Sequence, residues 1–394
     1  MELVNPLTAY PIGARVEDIG GVAMKGVVGK QWIEFSRHGW LAAKEDPTID
    51  ADKYGAMIRK SLRPLSVKTL KQARDEYARK EVIRAPHYWL IETVGGICAR
   101  RCPFCSINVM KRIDKDGNEA KPGMLPWDAW MKFVHECGEY SPYGNSTYQL
   151  GEPMNYIGHD ESGNKRDIGD IVDTAKSVGR FKIVNVSTHA DVTNLRRLLE
   201  CDIDDLIVSL DAVTPETYAK NRPVTSGRQE GAFERTIARF KEFLALKAER
   251  GKSKPFVIAQ IINSSLTYDE VLPFIREWIT VDGIDMVAVK HLDSMRPWIG
   301  DKMVSDEEDR IKAAGAGQLP CQHLWTIGSL THTGVLNACG HDAFTQLTDG
   351  SSIYNTTIFD FWNGDFMNEL RAEHLRGAMR LPCRDCRDRD VWVG

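Results

Sequence analysis

The sequence predicts an α/β fold: a partial (β/α)6 TIM-like barrel, with an N-terminal helical extension before it and a small cysteine-bearing domain after it. Three observations carry this. Six short apolar runs lie between residues 88 and 292, separated by amphipathic stretches, as in parallel strands joined by helices. Six such units in about 205 residues suit a partial or full barrel better than a flat, doubly wound sheet. Seven of the nine cysteines fall into two groups, Cys98/Cys102/Cys105 and Cys321/Cys339/Cys383/Cys386.

Composition removes several classes. The 394 residues are 42% hydrophobic and 27% charged, ample to bury a core. No run approaches the ~20 apolar residues of a membrane span, so no membrane partner is expected. The N-terminus has no basic stretch followed by an apolar one, so a cytoplasmic, reducing location is expected and a disulfide framework is not. A net charge of −4 argues against a nucleic-acid partner, which would need a basic surface.

Residues 1–85 read as the extension. Within them, 66–84 is charged and helical in composition, with Leu70, Ala73 and Tyr77 on one face. Residues 86–300 read as the barrel. Its strands are expected at 88–94, 147–152, 181–188, 205–213, 256–263 and 285–292, with helices at 232–250 and 268–280. Two polar insertions, 111–125 and 159–167, follow the first two strands; they are either substrate-covering loops or solvated turns. Residues 301–394 break into short pieces, and 325–337 reads as a β-hairpin turning at Thr333-Gly334. In such a barrel the functional residues belong at the C-terminal strand ends.

Cys98-xxx-Cys102-xx-Cys105 directly follows the first strand, and Gly95-Gly96 let the backbone turn there. Three thiolates can hold a 4Fe–4S cluster with one iron left open for chemistry. A zinc site would need a fourth ligand from elsewhere. The second group, taken alone, fits a zinc ribbon as well as an iron–sulfur site.

The three-cysteine motif, Phe104 just before its last cysteine and Gly151-Glu152-Pro153 after the second strand together resemble the radical S-adenosylmethionine enzymes. The resemblance spans about residues 85–295. It implies that the open iron chelates S-adenosylmethionine, which is cleaved to a 5′-deoxyadenosyl radical that takes hydrogen from substrate. It further implies cofactor contacts from Phe104, Gly151, Glu152, Ser187, Ser209, Arg222 and Asn263. Glu152 would meet the amino group, and Ser209 and Arg222 the carboxylate. Two departures stand out. Leu150 replaces a second glycine before Glu152, and Ser187-Thr188-His189 stands where many relatives carry Thr-Asn-Gly.

The second cysteine group resembles a SPASM/Twitch extension. Four cysteines imply one auxiliary 4Fe–4S cluster, making two clusters per chain. Asp211, His291 and Asp293 are the candidate catalytic residues, with Asp211 otherwise a helix cap. Lys290 ranks lower because its neighbours alternate outward. Cys137 and Cys201 are expected in the barrel's lower half, away from the strand C-termini. The favoured activity is oxidation of substrate, with the auxiliary cluster accepting the second electron (a dehydrogenase-like oxidoreductase). The alternatives are epimerisation or rearrangement of a carbohydrate-like substrate, maturation of a ribosomal peptide and, outside enzymes, a non-catalytic iron–sulfur or zinc protein. Implied partners are a small-molecule or peptide substrate and an electron donor such as flavodoxin or ferredoxin.

Overall fold

A computed structural model of the protein describes residues 85–225, 227, 229–291, 320–321 and 323–386, and a short antiparallel pairing of Leu3–Val4 with Pro11–Ile12. Of Asn263, His291 and Asp385 it describes the backbone alone. The helix expected over 66–84, Asp293 and the boundary near residue 300 lie outside the described residues.

One eight-stranded sheet organises the chain. Strands β1 (Tyr88–Ile91), β2 (Gly144–Ser146), β3 (Ile183–Thr188), β4 (Asp205–Ser209), β5 (Phe256–Asn263) and β6 (Met286–His291) are parallel and adjacent in sequence order. That order makes the arc of a (β/α) barrel; a doubly wound sheet would reverse direction partway. Among the described residues the arc stays open, with β6 paired to β5 alone. Nearly every residue of β3 and β4 is buried, as expected of parallel strands covered on both faces.

The helices between strands start and pack for identifiable reasons. Helix α1 (Trp127–Tyr140) begins after Pro126 and buries Trp130, Phe133, Val134 and Cys137 along one side. Phe133 meets Trp89 of β1 edge-on, with centroids 4.8 Å apart. Helix α2 (Ile168–Ser177) opens with a capping box. The Asp167 carboxylate accepts from the amides of Gly169 and Asp170, and that of Asp170 accepts from the amide of Asp167. Helix α3 (Pro215–Asn221) is capped by Thr214, and α4 (Ala232–Glu249) buries Phe240, Phe243 and Leu244. Helix α5 (Val271–Trp278) is the regular part of the expected 268–280 helix, whose start is a 3-10 turn.

The second strand lies upstream of its expected place, at 144–146 rather than 147–152. Residues 150–152 bond to the cysteine loop instead of a neighbouring strand: the Gly96 amide donates to Leu150 O (2.7 Å) and that of Glu152 to Ile97 O (3.0 Å). The Gly-Glu-Pro segment is therefore a loop across the strand ends. The first strand also stops early, at Ile91, and Val94–Gly95 forms a separate ribbon with Gly123–Met124.

After α6 (His323–Thr326), β7 (Ile327–Leu330) pairs parallel with β1, and β8 (Leu336–Asn337) returns antiparallel. The expected hairpin is present, with Gly334 at φ +81° in its turn. Helices α7 (Ile358–Asn363) and α8 (Asp365–Arg376) follow. One apolar core runs from Ala85 to Cys383, so the described C-terminal residues are built onto the β1 edge. The insertion at 111–125 is a clasp to this region. Arg112 donates to Asp342 O, Thr333 Oγ1 to Ile113 O (2.8 Å) and the Lys111 amide to Ala343 O (3.1 Å). Its DKDGNE stretch is a polar turn, in which Asp114 Oδ1 accepts from the amides of Asp116 and Asn118. No helix among the described residues is long and apolar enough to cross a membrane.

Candidate functional site

The strand C-termini open into one cavity beside the first cysteine group. Cys98, Cys102 and Cys105 line it together with Phe104, Gly151, Glu152, Ser187, His189, Ser209 and Arg222. The cysteine loop is held from two sides. The residues after α3 pair with it, the Arg101 amide donating to Pro223 O (3.0 Å) and the Thr225 amide to Ala99 O (2.9 Å). Arg100 reaches across to Asp191 (2.6 Å), which also binds Arg239. On the other side lies the Gly151-Glu152 loop. A Cβ on Gly151 would overlap the Val94 carbonyl, so only glycine lets this loop pass so close.

Electrostatics at the thiols follow from burial. Burial pushes the Cys98 thiol up to about 12, with the Glu152 charge adding to it. Burial pushes Cys102 up to about 11 against the lowering effect of Arg222. Metal ligation would displace those thiol protons. Arg222 is the cation that acts most on Cys102, and it sits over the Phe104 ring at 5.8 Å.

Glu152, 2% exposed, is fixed before any ligand arrives. Its Oε1 accepts from the Met154 amide (3.2 Å) and its Oε2 from the His189 amide (3.1 Å). Ser209 accepts from Gln260 Nε2 (3.2 Å), and Ser187 Oγ lies 3.5 Å away, giving a polar string across β5, β4 and β3.

Asp211 departs from expectation. It neither lines the cavity nor caps α3, a role Thr214 takes. Its backbone is left-handed, φ +56°, a region Asp tolerates better than most residues. The buried carboxylate binds Arg222 through Nε (2.7 Å) and Nη2, and its other oxygen accepts from the Ile262 amide (2.7 Å). Asp211 thus holds Arg222 in place, leaving Nη1 without a bond to any described residue.

Lys290 also corrects the sequence reading. It pairs in register with Ile262, two residues beyond Gln260, and so lies on the sheet face of Gln260 and Ser209. Its charge acts on Cys105. Asn263 and His291 end their strands as expected, with only backbone described.

Four more thiols gather beside the hairpin. Burial pushes the Cys339 thiol well up, and Cys321, Cys386 and Cys383 around it push it further. Among the described residues no three His, Cys, Asp or Glu groups converge as around a single ion. All nine cysteines are free of disulfides. Cys137 is fully buried within α1, with its Sγ 3.7 Å from Tyr140 Oη, and Cys201 precedes β4 at the opposite end from the cavity. The sequence reading missed Gln149, which lines the cavity and also donates to Gly340 O, beside Cys339. An amide next to the Gly-Glu-Pro motif was its only signal.

No family model and no curated protein matches the chain. Solved structures do. SuiB of Streptococcus suis bound to its precursor peptide SuiA is 14% identical, with a TM-score of 0.53 over 82% of this chain and 74% of that one. SuiB bound to S-adenosylmethionine is 13% identical, with a TM-score of 0.52 over 82% and 76%. A third structure of SuiB is 16% identical, with a TM-score of 0.53 over the same shares. Identity this low speaks to the fold alone, and the chain shares the fold of these structures, from the sequential parallel arc to the three-cysteine loop after β1.

Proposed function

We propose that the protein is a radical S-adenosylmethionine oxidoreductase. Cys98, Cys102 and Cys105 would hold a 4Fe–4S cluster, and Cys321, Cys339, Cys383 and Cys386 an auxiliary one. When bound, the first cluster and S-adenosylmethionine supply an electron and a 5′-deoxyadenosyl radical that abstracts hydrogen. The chain's own residues bind and orient. Glu152, already fixed by two amides, accepts the cofactor's ammonium. Arg222, locked by Asp211, turns its remaining guanidinium edge to the carboxylate, with Ser209 beside it. Phe104 packs against the same guanidinium.

The observation that carries the oxidative reading is the Gln149 contact. One side chain lines the cavity and bonds the backbone next to Cys339, so the second thiol group adjoins the wall of the first site. An auxiliary cluster held by Cys321, Cys339, Cys383 and Cys386 would supply an acceptor there for the substrate radical's remaining electron, with a proton lost to solvent. The product is then two hydrogens lighter, with one S-adenosylmethionine consumed per turnover. An external donor such as flavodoxin or ferredoxin would supply the electron for the first cluster. Cys137, buried in the core, and Cys201, at the opposite end from the cavity, are not placed to return a hydrogen atom to substrate as an epimerase's cysteine would.

The test is anaerobic reconstitution with iron and sulfide. The reading expects about eight irons per chain, from two clusters, and dithionite-dependent 5′-deoxyadenosine. Stoichiometric zinc, or no S-adenosylmethionine cleavage, would overturn it. Within the same reading a peptide is the second substrate class to test, because the structures sharing the fold include SuiB with its precursor peptide.

A further inference from the structure

His189 is the first residue after β3, 4% exposed, and it faces the cavity. The Asp191 amide, which can only donate, is shared between His189 O (2.9 Å) and Nδ1 (3.1 Å), so Nδ1 is an acceptor and carries no proton. The ring proton is therefore on Nε2. That N–H is buried and has no hydrogen-bond partner. Glu152 Oε2 lies 3.2 Å away, but not in line with the N–H. A buried donor left unmade beside a fixed carboxylate marks a place for a ligand acceptor. Burial disfavours the charged ring, which agrees with a single proton.

The neighbours narrow the ligand chemistry. Glu152 is an anion and takes a cationic group. His189 Nε2–H, next to it, takes an anionic or neutral acceptor on the same ligand. Arg222 is near enough for its charge to act on the imidazole. A positive group at Glu152 with a negative one between His189 and Arg222 describes the α-carbon of an amino acid. Building on the cofactor assignment above, we infer that His189 Nε2–H is a binding residue for the α-carboxylate of S-adenosylmethionine, acting alongside Arg222.

The test is equilibrium binding to the anaerobically reconstituted full chain, by calorimetry, with S-adenosylmethionine and with its decarboxylated analogue. The amide nitrogen of Gln occupies the place of Nε2, and that of Asn the place of Nδ1. His189→Gln should bind S-adenosylmethionine within a fewfold of wild type. His189→Asn and His189→Ala should bind it roughly tenfold or more weakly, as for loss of a hydrogen bond to a charged group. All four proteins should bind the decarboxylated analogue equally. Equal loss for both ligands in His189→Asn would make His189 a support for Glu152 and overturn the inference. So would unchanged S-adenosylmethionine binding in that variant. Should His189→Ala misfold, the Gln–Asn pair decides, with iron content confirming cluster loading. A wild-type protein that loads its clusters yet binds no S-adenosylmethionine would instead overturn the cofactor assignment, and this inference with it.

Discussion

Gly151→Ala is the sharpest test of how the cofactor loop is positioned. The new Cβ would overlap the Val94 carbonyl oxygen and lie 2.8 Å from its carbon. Neither atom belongs to a flexible side chain. Restoring an ordinary 3.4 Å carbon contact displaces one segment by about 0.6 Å at least, and clearing the oxygen demands more. Val94 is held in its ribbon by Met124, so the 150–152 loop is the part that moves, carrying Glu152 with it. A misplacement near 1 Å can cost about 10²-fold in a site that works by positioning. Affinity for S-adenosylmethionine should therefore fall at least about tenfold, and overpacking should cost about 1–3 kcal/mol of stability. The assays are calorimetric binding to reconstituted protein and thermal melting by circular dichroism. Gly163→Asn, in an open turn at φ +81° that Asn tolerates, serves as the control and should change neither. Wild-type affinity and melting in Gly151→Ala would refute the argument that close backbone passage sets the position of Glu152.

Asp211→Ala should destabilise the fold by about 3–5 kcal/mol, because it leaves the buried Arg222 unpaired; Asp211→Asn, which keeps the left-handed backbone, should cost less, and denaturant midpoints compare the two. Removing Cys383 and Cys386 together should lower iron by about half while retaining some S-adenosylmethionine cleavage, as measured by iron assay and chromatography of 5′-deoxyadenosine. Burial works against the Glu92 charge, but Arg112 and His332 outweigh it and hold the carboxyl below its usual 4.5. A depressed carboxyl stabilises fully above the unfolded value and less as pH falls through the folded one, so melting temperature should drop below about pH 4.5. Glu92→Gln should flatten that drop and cost about 3–5 kcal/mol at neutral pH. Cys137→Ala should leave product mass and solvent-deuterium content unchanged; loss of product would place that thiol in the chemistry.

Much of the fold was legible because parallel strands write themselves locally. Phe256–Asn263 appeared at its expected bounds, since an apolar run closed by polar residues has one obvious reading. The hairpin at Thr333-Gly334 was equally plain. The second strand was not, because TYQLGE is apolar enough for a strand while its backbone bonds go to the cysteine loop, a partner about fifty residues away. The cysteine groups were visible by spacing. The behaviour of Asp211 was not, because it depends on a left-handed backbone and on Arg222 arriving from the far end of α3. Lys290 was misplaced for a related reason: alternation assigns two faces but does not say which is inward, and only the register with Ile262 settles that. The role of His189 was not legible either, because its tautomer depends on the Asp191 amide.

The 111–125 insertion bears on the oxidative reading in a way its polar sequence conceals. An electron acceptor must keep its distance from the substrate through many turnovers. A C-terminal unit joined by a linker alone would leave that distance to the linker. Here β7 is paired with β1, so the hairpin preceding Cys339 moves with the barrel sheet. The clasp adds a buried joint. Glu92, at the end of β1, accepts from Arg112 Nε (3.1 Å) and from the His332 amide (3.2 Å), with His332 Nδ1 at 3.0 Å. His332 Nε2 lies 3.1 Å from Lys121 O. The joint thus sets the Glu92 carboxylate between the Arg112 guanidinium and the His332 ring. With Arg112 also bonded to Asp342 O, three residues shielded from solvent tie the first strand, the insertion and the cysteine hairpin together. Such a joint contributes less to net stability than to holding one arrangement, and one arrangement is what the proposed pair of clusters would require.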